Sequence, residues 1–361
     1  MRILNLLDKG EFCIRLFLMK WLLLGIIFLM GCAPVYRMPG KKGEKVPEVK
    51  VLLGEVSDSN IEVKGKDLRV KSEKLEVKGK KLEIENGKAR VDNKECYLNY
   101  PIEISTSNDI IDFNGKKYRG ELIIYKLQII NRVNVEDYLR EVVPCELRVD
   151  EFEALKSQAV IARSFALSKI KGEKYDLKAT VEDQVYEGMK AETNATDRAI
   201  EETQGVVCTY KGEVIQAMYS STCGGKTQAG GKPYLESKTC QFCEDSPHYR
   251  WESEYPLSAL GKVNVIKVSK RDKSGRVELV EIIDGGGTHT IRGEELRAKL
   301  GLKSNFIDIR IKGDKIKVSG KGYGHGIGLC QYGAIGMARK GYRYESILKY
   351  YYEGIRVEKI Y

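Results

Sequence analysis

Apolar and charged residues alternate through residues 51–125, in short runs such as IEVKG, LRVKS, LEVKG, LEIEN and ARVDN separated by turn residues. A period of two turns one face of each run to a core and the other to water, so this stretch predicts a β-rich lobe. The VKGK of residues 63–66 recurs at 77–80, a repeat with too few copies for a solenoid. Residues 120–133 (GELIIYKLQIINRV) continue as strands. Around residues 143–165 (VPCELRVDEFEALKSQAVIARSF) the period changes. Phe152, Leu155, Ala159, Ala162 and Ala166 fall on one face at helical spacing, with Lys156 and Arg163 at its border. Asp150 is the expected N-cap, and Glu151 and Glu153 suit the positive end of the helix dipole. Pro144 disfavours a helix running through it, which leaves Glu146 on the approach to the helix beside Cys145.

Further along, residues 194–203 read as a helix stopped by Gly205, and residues 206–210 and 214–219 as strands about a short turn. Residues 263–291 are strand-like around the glycine run 285–287, and residues 318–322 lead into a glycine-rich loop. Helices follow at 335–339 and 344–352, the last ending at Gly354 before a closing strand. The mixture predicts an α+β fold in which strands dominate.

The 361 residues are 42% hydrophobic and 31% charged, a globular balance with length for one large or two ordinary domains. The net charge of +10 suits an anionic partner: nucleic acid, a membrane surface or a cell wall polymer. The lysines are spread evenly and lack the aromatic interleaving of single-strand readers, so a solvated surface is the expectation and nucleic acid is not. The apolar run 21–30 is too short to span a bilayer. It follows Lys20 and ends in Gly31-Cys32, so residues 1–32 read as a signal peptide with a lipobox-like end and Cys32 as the lipidated residue. Met19 already begins a complete signal and is a candidate true start. Residues 33–48, rich in Pro, Gly and Lys, read as a flexible tether. The expectation is an exported lipoprotein, periplasmic or on the outer face of the cytoplasmic membrane.

Four groups of residues bear on chemistry. The loop GYGHGIGLCQ at 322–331 lets backbone approach a ligand closely and holds His325 outside a packed element, without dinucleotide or phosphate-loop spacing. Cys223, Cys240, Cys243 and His248 offer three thiolates and an imidazole to a structural zinc, while an exported chain equally favours disulfides among the same cysteines. Four such ligands leave no open position for metal catalysis. A Cys145–His325 nucleophile pair has no orienting third group. Glu146, alone, reads as a glutamate at a helix start.

Five segments together give more. VEDYLREVVPCEL at 135–147, EALKSQAVIARSFAL at 153–167, DQVYEG at 183–188, YSSTCGGKT at 219–227 and GYGHGIGLCQYGAIGMA at 322–338 occur in the order found in the SpoIID/LytB family, which includes stage II sporulation protein D and the amidase enhancers. The chain resembles that family from about residue 49 to its end. The resemblance implies a β-rich, two-lobed SpoIID-like fold, with an N-terminal lobe at 49–125, a catalytic core at 126–361 and a central helix beside a catalytic glutamate. It implies a peptidoglycan lytic transglycosylase with Glu146 as the single acid/base, acting on peptide-stripped glycan with no cofactor required for catalysis. It further implies that Gln184, Tyr186, Ser220, Ser221, Thr222, His325, Gln331 and Tyr332 contact substrate. Arg163, at the border of the helix's buried stripe, reads equally as a donor to substrate or to a carboxylate and as a structural ion pair. Some family members carry a structural zinc just after the serine-rich segment. Leu147-Arg148 stands where a Met-Pro pair is common in the family. The amidase enhancer branch supplies the alternative of a non-catalytic glycan binder that activates a partner amidase.

Overall fold

The alternating stretch folds as one sheet. Strands Ile61–Lys71 and Glu76–Glu85, which carry the two VKGK copies, are the arms of one hairpin, with Val70 opposite Val77 and Val63 opposite Leu82. The computed structural model describes residues 45–55, 60–85, 87–126 and 128–361; the signal segment, Cys32 and most of the tether lie outside the described residues. From Glu76–Glu85 the sheet extends to Lys88–Val91 and Lys94–Cys96. From Ile61–Lys71 it extends through Ile102–Ser105, Glu121–Ile124, Gln128–Asn134 and Glu48–Glu55 to the short Leu177–Lys178. Only that last pairing is parallel. Period two buries Val63, Leu68, Val70, Leu82, Ile102 and Ile104 on one face. The sheet does not stop at residue 125, because Gln128–Asn134 is one of its inner strands and runs directly into a helix.

Six α-helices lie among the described residues: α1 (Val135–Glu146), α2 (Phe152–Ser168), α3 (Asn194–Glu202), α4 (Gly293–Leu300), α5 (Gln331–Arg339) and α6 (Tyr344–Tyr351). Asn134 caps α1, its side chain accepting the Asp137 N–H at 3.0 Å. Two expectations are corrected here. Helix α1 runs through Pro144 and includes Glu146. The proline sits in the final turn, where little ladder remains to be lost, and the Leu147 N–H still reaches the Val143 carbonyl at 2.9 Å. Helix α2 is capped at Glu151 rather than Asp150, with no side-chain cap bond.

Helix α2 lies between two cores. Leu155, Val160 and Ile161 join one with α5, α6 and the buried cysteines; Ala159, Ala162, Phe165 and Ala166 join the other with α1 and the sheet. Residues 157–167 are all buried, so the helix has no wet margin there. Of the two readings of Arg163, this leaves the structural ion pair and removes the contact with substrate at a border. Its side chain is 0% exposed, and it grips Glu136 with two bonds, Nε to Oε1 at 2.9 Å and Nη2 to Oε2 at 2.7 Å. Its Nη1 donates to the Val206 carbonyl at 3.0 Å. Glu136 Oε1 also accepts the Gly205 N–H at 3.1 Å and the Tyr361 hydroxyl at 2.6 Å.

Residues 251–320 form a separate core. Two three-stranded antiparallel sheets and α4 bury Val263, Val277, Val280, Leu296, Ile316 and Val318 together. The first strand of this unit, Trp251–Pro256, pairs with its last, Lys315–Gly320, so that Trp251 stands opposite Gly320. No helix among the described residues is long and apolar enough to cross a membrane.

Removing one partner of a buried, hydrogen-bonded ion pair strands the other charge. Arg163→Ala should therefore lower unfolding free energy by about 3–5 kcal/mol in urea titrations. A loss near zero would show that the pair is not structural.

Candidate functional site

The last turn of α1 presents Glu146, half-buried, against the segment that follows Asp183. Its Oε1 accepts the Val185 N–H at 3.0 Å, and its main-chain carbonyl accepts Gln331 Nε2 at 3.0 Å. Tyr219 lies alongside. Gln184 holds that ring in place, its Oε1 accepting the Tyr138 hydroxyl at 3.0 Å while its Nε2 donates to the Tyr219 hydroxyl at 3.2 Å. Burial raises the Glu146 carboxyl above its ordinary value, against the pull of the Val185 N–H and the Tyr219 hydroxyl. A carboxyl so placed stays protonated further toward neutral pH and can give up its proton.

Two loops converge beside it. Tyr219–Ser220 pairs in parallel with Leu329–Cys330, Thr222 bridges Tyr323, and Gln228 bridges Ile327. The serine-rich and glycine-rich segments are thus joined along their length. Close approach requires glycine: a Cβ on Gly324, at φ +102°, would meet Ser220 Cβ at 2.8 Å. His325 braces the glycine-rich loop from within, its Nδ1 accepting the Ile327 N–H at 2.9 Å. Burial and the nearby Arg297 push it down to about 4 against the favourable Tyr219 carbonyl, so it is neutral at physiological pH. Tyr323, on the glycine-rich loop, is exposed, with its ring 4.8 Å from that of His248.

Several residues expected to touch substrate are instead internal supports. Gln184 is fully buried and orients Tyr219. Tyr186 is buried between Tyr118 and Tyr138, its hydroxyl donating to Asn131 Oδ1 at 2.6 Å. Thr222 is buried on Ser246, hydroxyl to hydroxyl at 2.6 Å, and Ser220 is buried with its Oγ unpartnered. Gln331 is buried, joining Glu146 to Gln158. Ser221 and Tyr332 are half-buried neighbours, the Tyr332 N–H donating to the Ser221 carbonyl at 3.1 Å. Cys145 and His325 do not form a pair, since the Cys145 thiol donates to the Glu141 carbonyl at 3.2 Å. Tyr219 and Tyr323 were missed by the sequence reading, although a tyrosine opening a serine-rich motif and one amid alternating glycines were visible signals.

The cysteine group is corrected in one member. Cys223, Cys240, Cys243 and Cys330 lie with their sulfurs all within 4.8 Å of one another, each buried. His248 is not among them; its Nδ1 is buried without a partner. A cavity of about 460 Å³ lies elsewhere, between the loop at Gln228 and the 251–320 unit, lined by Asp272, Lys273, Arg292 and Asn305 among others. Glu146 does not line it.

Two family models match the chain. One, described as Stage II sporulation protein, covers residues 125–210; the other, a domain of unknown function (DUF8618), covers 234–328. An uncharacterized protein of Brachyspira hyodysenteriae is 31% identical over 278 residues, 70% of this chain and 75% of the relative. Stage II sporulation protein D of Bacillus subtilis is 28% identical over 265 residues, 64% of this chain and 76% of the relative. The amidase enhancer of Bacillus subtilis is 30% identical over 326 residues, 70% of this chain but 46% of the relative.

A raised carboxyl binds its proton more tightly folded than unfolded, so its contribution to stability is present below the ordinary 4.5 and is lost as pH rises through the folded value. Glu146→Gln should accordingly be as stable as wild type or more so at pH ~7.5, with the advantage vanishing near pH ~4.5. Denaturant titrations at the two pH values measure it. A clearly less stable variant at the higher pH would mean that the ionised carboxylate is a structural partner.

Proposed function

The chain belongs to the SpoIID/LytB family, and on that footing we propose that it cleaves peptidoglycan glycan strands as a lytic transglycosylase with Glu146 as the single acid/base. The family gives the coarse role, work on the cell wall. The observation that carries the finer one is the raised, half-buried Glu146 carboxyl at the end of α1, fixed by the Val185 N–H. As an acid, Glu146 protonates the glycosidic oxygen between N-acetylmuramic acid and N-acetylglucosamine while the bond to the anomeric carbon breaks. The resulting carboxylate then takes the proton of the muramic acid 6-hydroxyl, whose oxygen closes on the anomeric carbon. The proton is back on Glu146, no water enters, and the product ends in a 1,6-anhydro sugar.

A hydrolase would call on a second carboxylate. The nearby Asp183 is committed, Oδ1 to Lys169 Nζ at 2.7 Å and Oδ2 to the Lys178 N–H at 2.9 Å. In this reading Tyr219 and Gln331 position the acid, Ser221, Tyr332 and Tyr323 are the surfaces left for sugar, and a lipid on Cys32 holds the enzyme at the membrane outside the cytoplasm. The likeness to an amidase enhancer over 70% of the chain supports a second reading, in which the same residues bind glycan without cutting it and an amidase is the partner.

The test is mass spectrometry of intact and peptide-stripped peptidoglycan incubated with the full chain in detergent, beside Glu146→Gln. Anhydro ends should accumulate with wild type and fall by ~10²–10⁴-fold with the variant. Reducing ends would replace the lyase with a hydrolase. Glycan binding without cleavage would leave the amidase-activator reading standing.

A further inference from the structure

Four cysteines from three separate stretches meet inside the molecule. Cys223 closes the serine-rich segment, Cys240 and Cys243 lie on the following loop, and Cys330 is the residue that caps α5. Cys223 Sγ and Cys243 Sγ are 3.6 Å apart. Two thiolates bound at ~2.3 Å to one tetrahedral ion stand about 3.8 Å from each other, so the spacing is that of ligands around a common centre. The surroundings supply donors to sulfur: Cys330 Sγ accepts the Cys223 N–H at 3.2 Å and the Gly333 N–H at 3.3 Å, and the Tyr351 hydroxyl is 3.2 Å from Cys240 Sγ. Such N–H and O–H contacts are what a ligating thiolate takes from its outer shell.

A second observation comes from the neighbouring unit. Arg276, on strand Val277–Asp284's approach, is 1% exposed and reaches the cluster, its Nη2 donating to the Cys223 carbonyl at 2.7 Å. Its Nη1 donates to the Lys226 carbonyl at 2.8 Å and to Ser274 Oγ at 3.0 Å, and its Nε has no partner. The acceptors its guanidinium meets are all neutral: the nearby carboxylate, Asp272, takes the Arg276 main-chain N–H and the Ser274 hydroxyl and not the guanidinium itself. A buried guanidinium with no directly paired counter-charge is costly. Four thiolates around one divalent ion carry a net charge of about −2 and would supply that counter-charge, whereas cysteines joined in disulfides would not.

We propose that Cys223, Cys240, Cys243 and Cys330 bind one zinc ion as a closed tetrathiolate site, with Cys330 the fourth ligand and His248 outside it. Four protein ligands leave no open position, so the ion is structural. It fastens the serine-rich segment to the N-terminus of α5, one residue before Gln331, which holds the main-chain carbonyl of Glu146. The site does not depend on which reaction Glu146 performs.

The experiment loads the full chain with zinc or cobalt and reads metal per chain by mass spectrometry and the cobalt absorption spectrum. One ion per chain with the charge-transfer and ligand-field bands of tetrathiolate cobalt is expected. His248→Ala should keep both, whereas Cys330→Ser should weaken binding by more than ~100-fold, beyond the usual cost of an outer-shell change. Cys330→His, which restores a ligand, guards against a variant that fails to fold: it should bind one cobalt with a three-sulfur, one-nitrogen spectrum. Folded wild type holding no stoichiometric metal, with these cysteines in disulfides, would overturn the proposal. So would loss of metal in His248→Ala with retention in Cys330→Ser.

Discussion

The buried grip of Arg163 on Glu136 is the constraint on which the interior depends. Through Glu136 it fixes the first turn of α1; through its own backbone it belongs to α2; and their remaining bonds reach Gly205, Val206 and the hydroxyl of the final residue, Tyr361. Helix α1 is thereby held at one end by charge. At its other end it carries Glu146, whose carboxyl is deprived of charge stabilisation and raised by burial. One short helix thus carries a glutamate that anchors it through a guanidinium and another whose carboxyl is raised by burial. The difference lies in the partners: a guanidinium in one case, a single N–H and a phenol in the other.

The loops beside Glu146 are built to resist opening. Bridges at Tyr219–Ser220, Thr222 and Gln228 join them to the glycine-rich segment, and His325, kept neutral, accepts one backbone N–H from within the same turn. Most polar side chains of these motifs face inward and satisfy one another. What they contribute is the shape they impose on backbone and on the few residues, Ser221, Tyr323 and Tyr332, that remain at least partly exposed.

Much of this was legible in the sequence. Period two located the sheet, helical spacing located α2, and a glycine marked the close of the 194–203 helix, because each signal is local. Glu146 stood out only through the resemblance, since nothing near it in sequence shows which residues will bury it. Arg163 was misplaced because a helical wheel assumes one wet side, and α2 is enclosed by two cores. Cys330 was missed and His248 taken for its part because spacing rules see neighbours, while a unit with its own core separates Cys243 from Cys330. The two family models divide the same way: Cys223 precedes the match at 234–328 and Cys330 follows it.

That unit enters and leaves through adjacent strands, Trp251 facing Gly320. Because its ends already touch, the chain closure needed to accommodate it is short and nearly independent of how many residues it contains. Evolution can therefore enlarge, trim or exchange the whole cassette without redrawing the sheet or the helices. Arg276 sets the condition on such traffic: a replacement must bring its own donor to the Cys223 carbonyl or leave that buried acceptor unpaired.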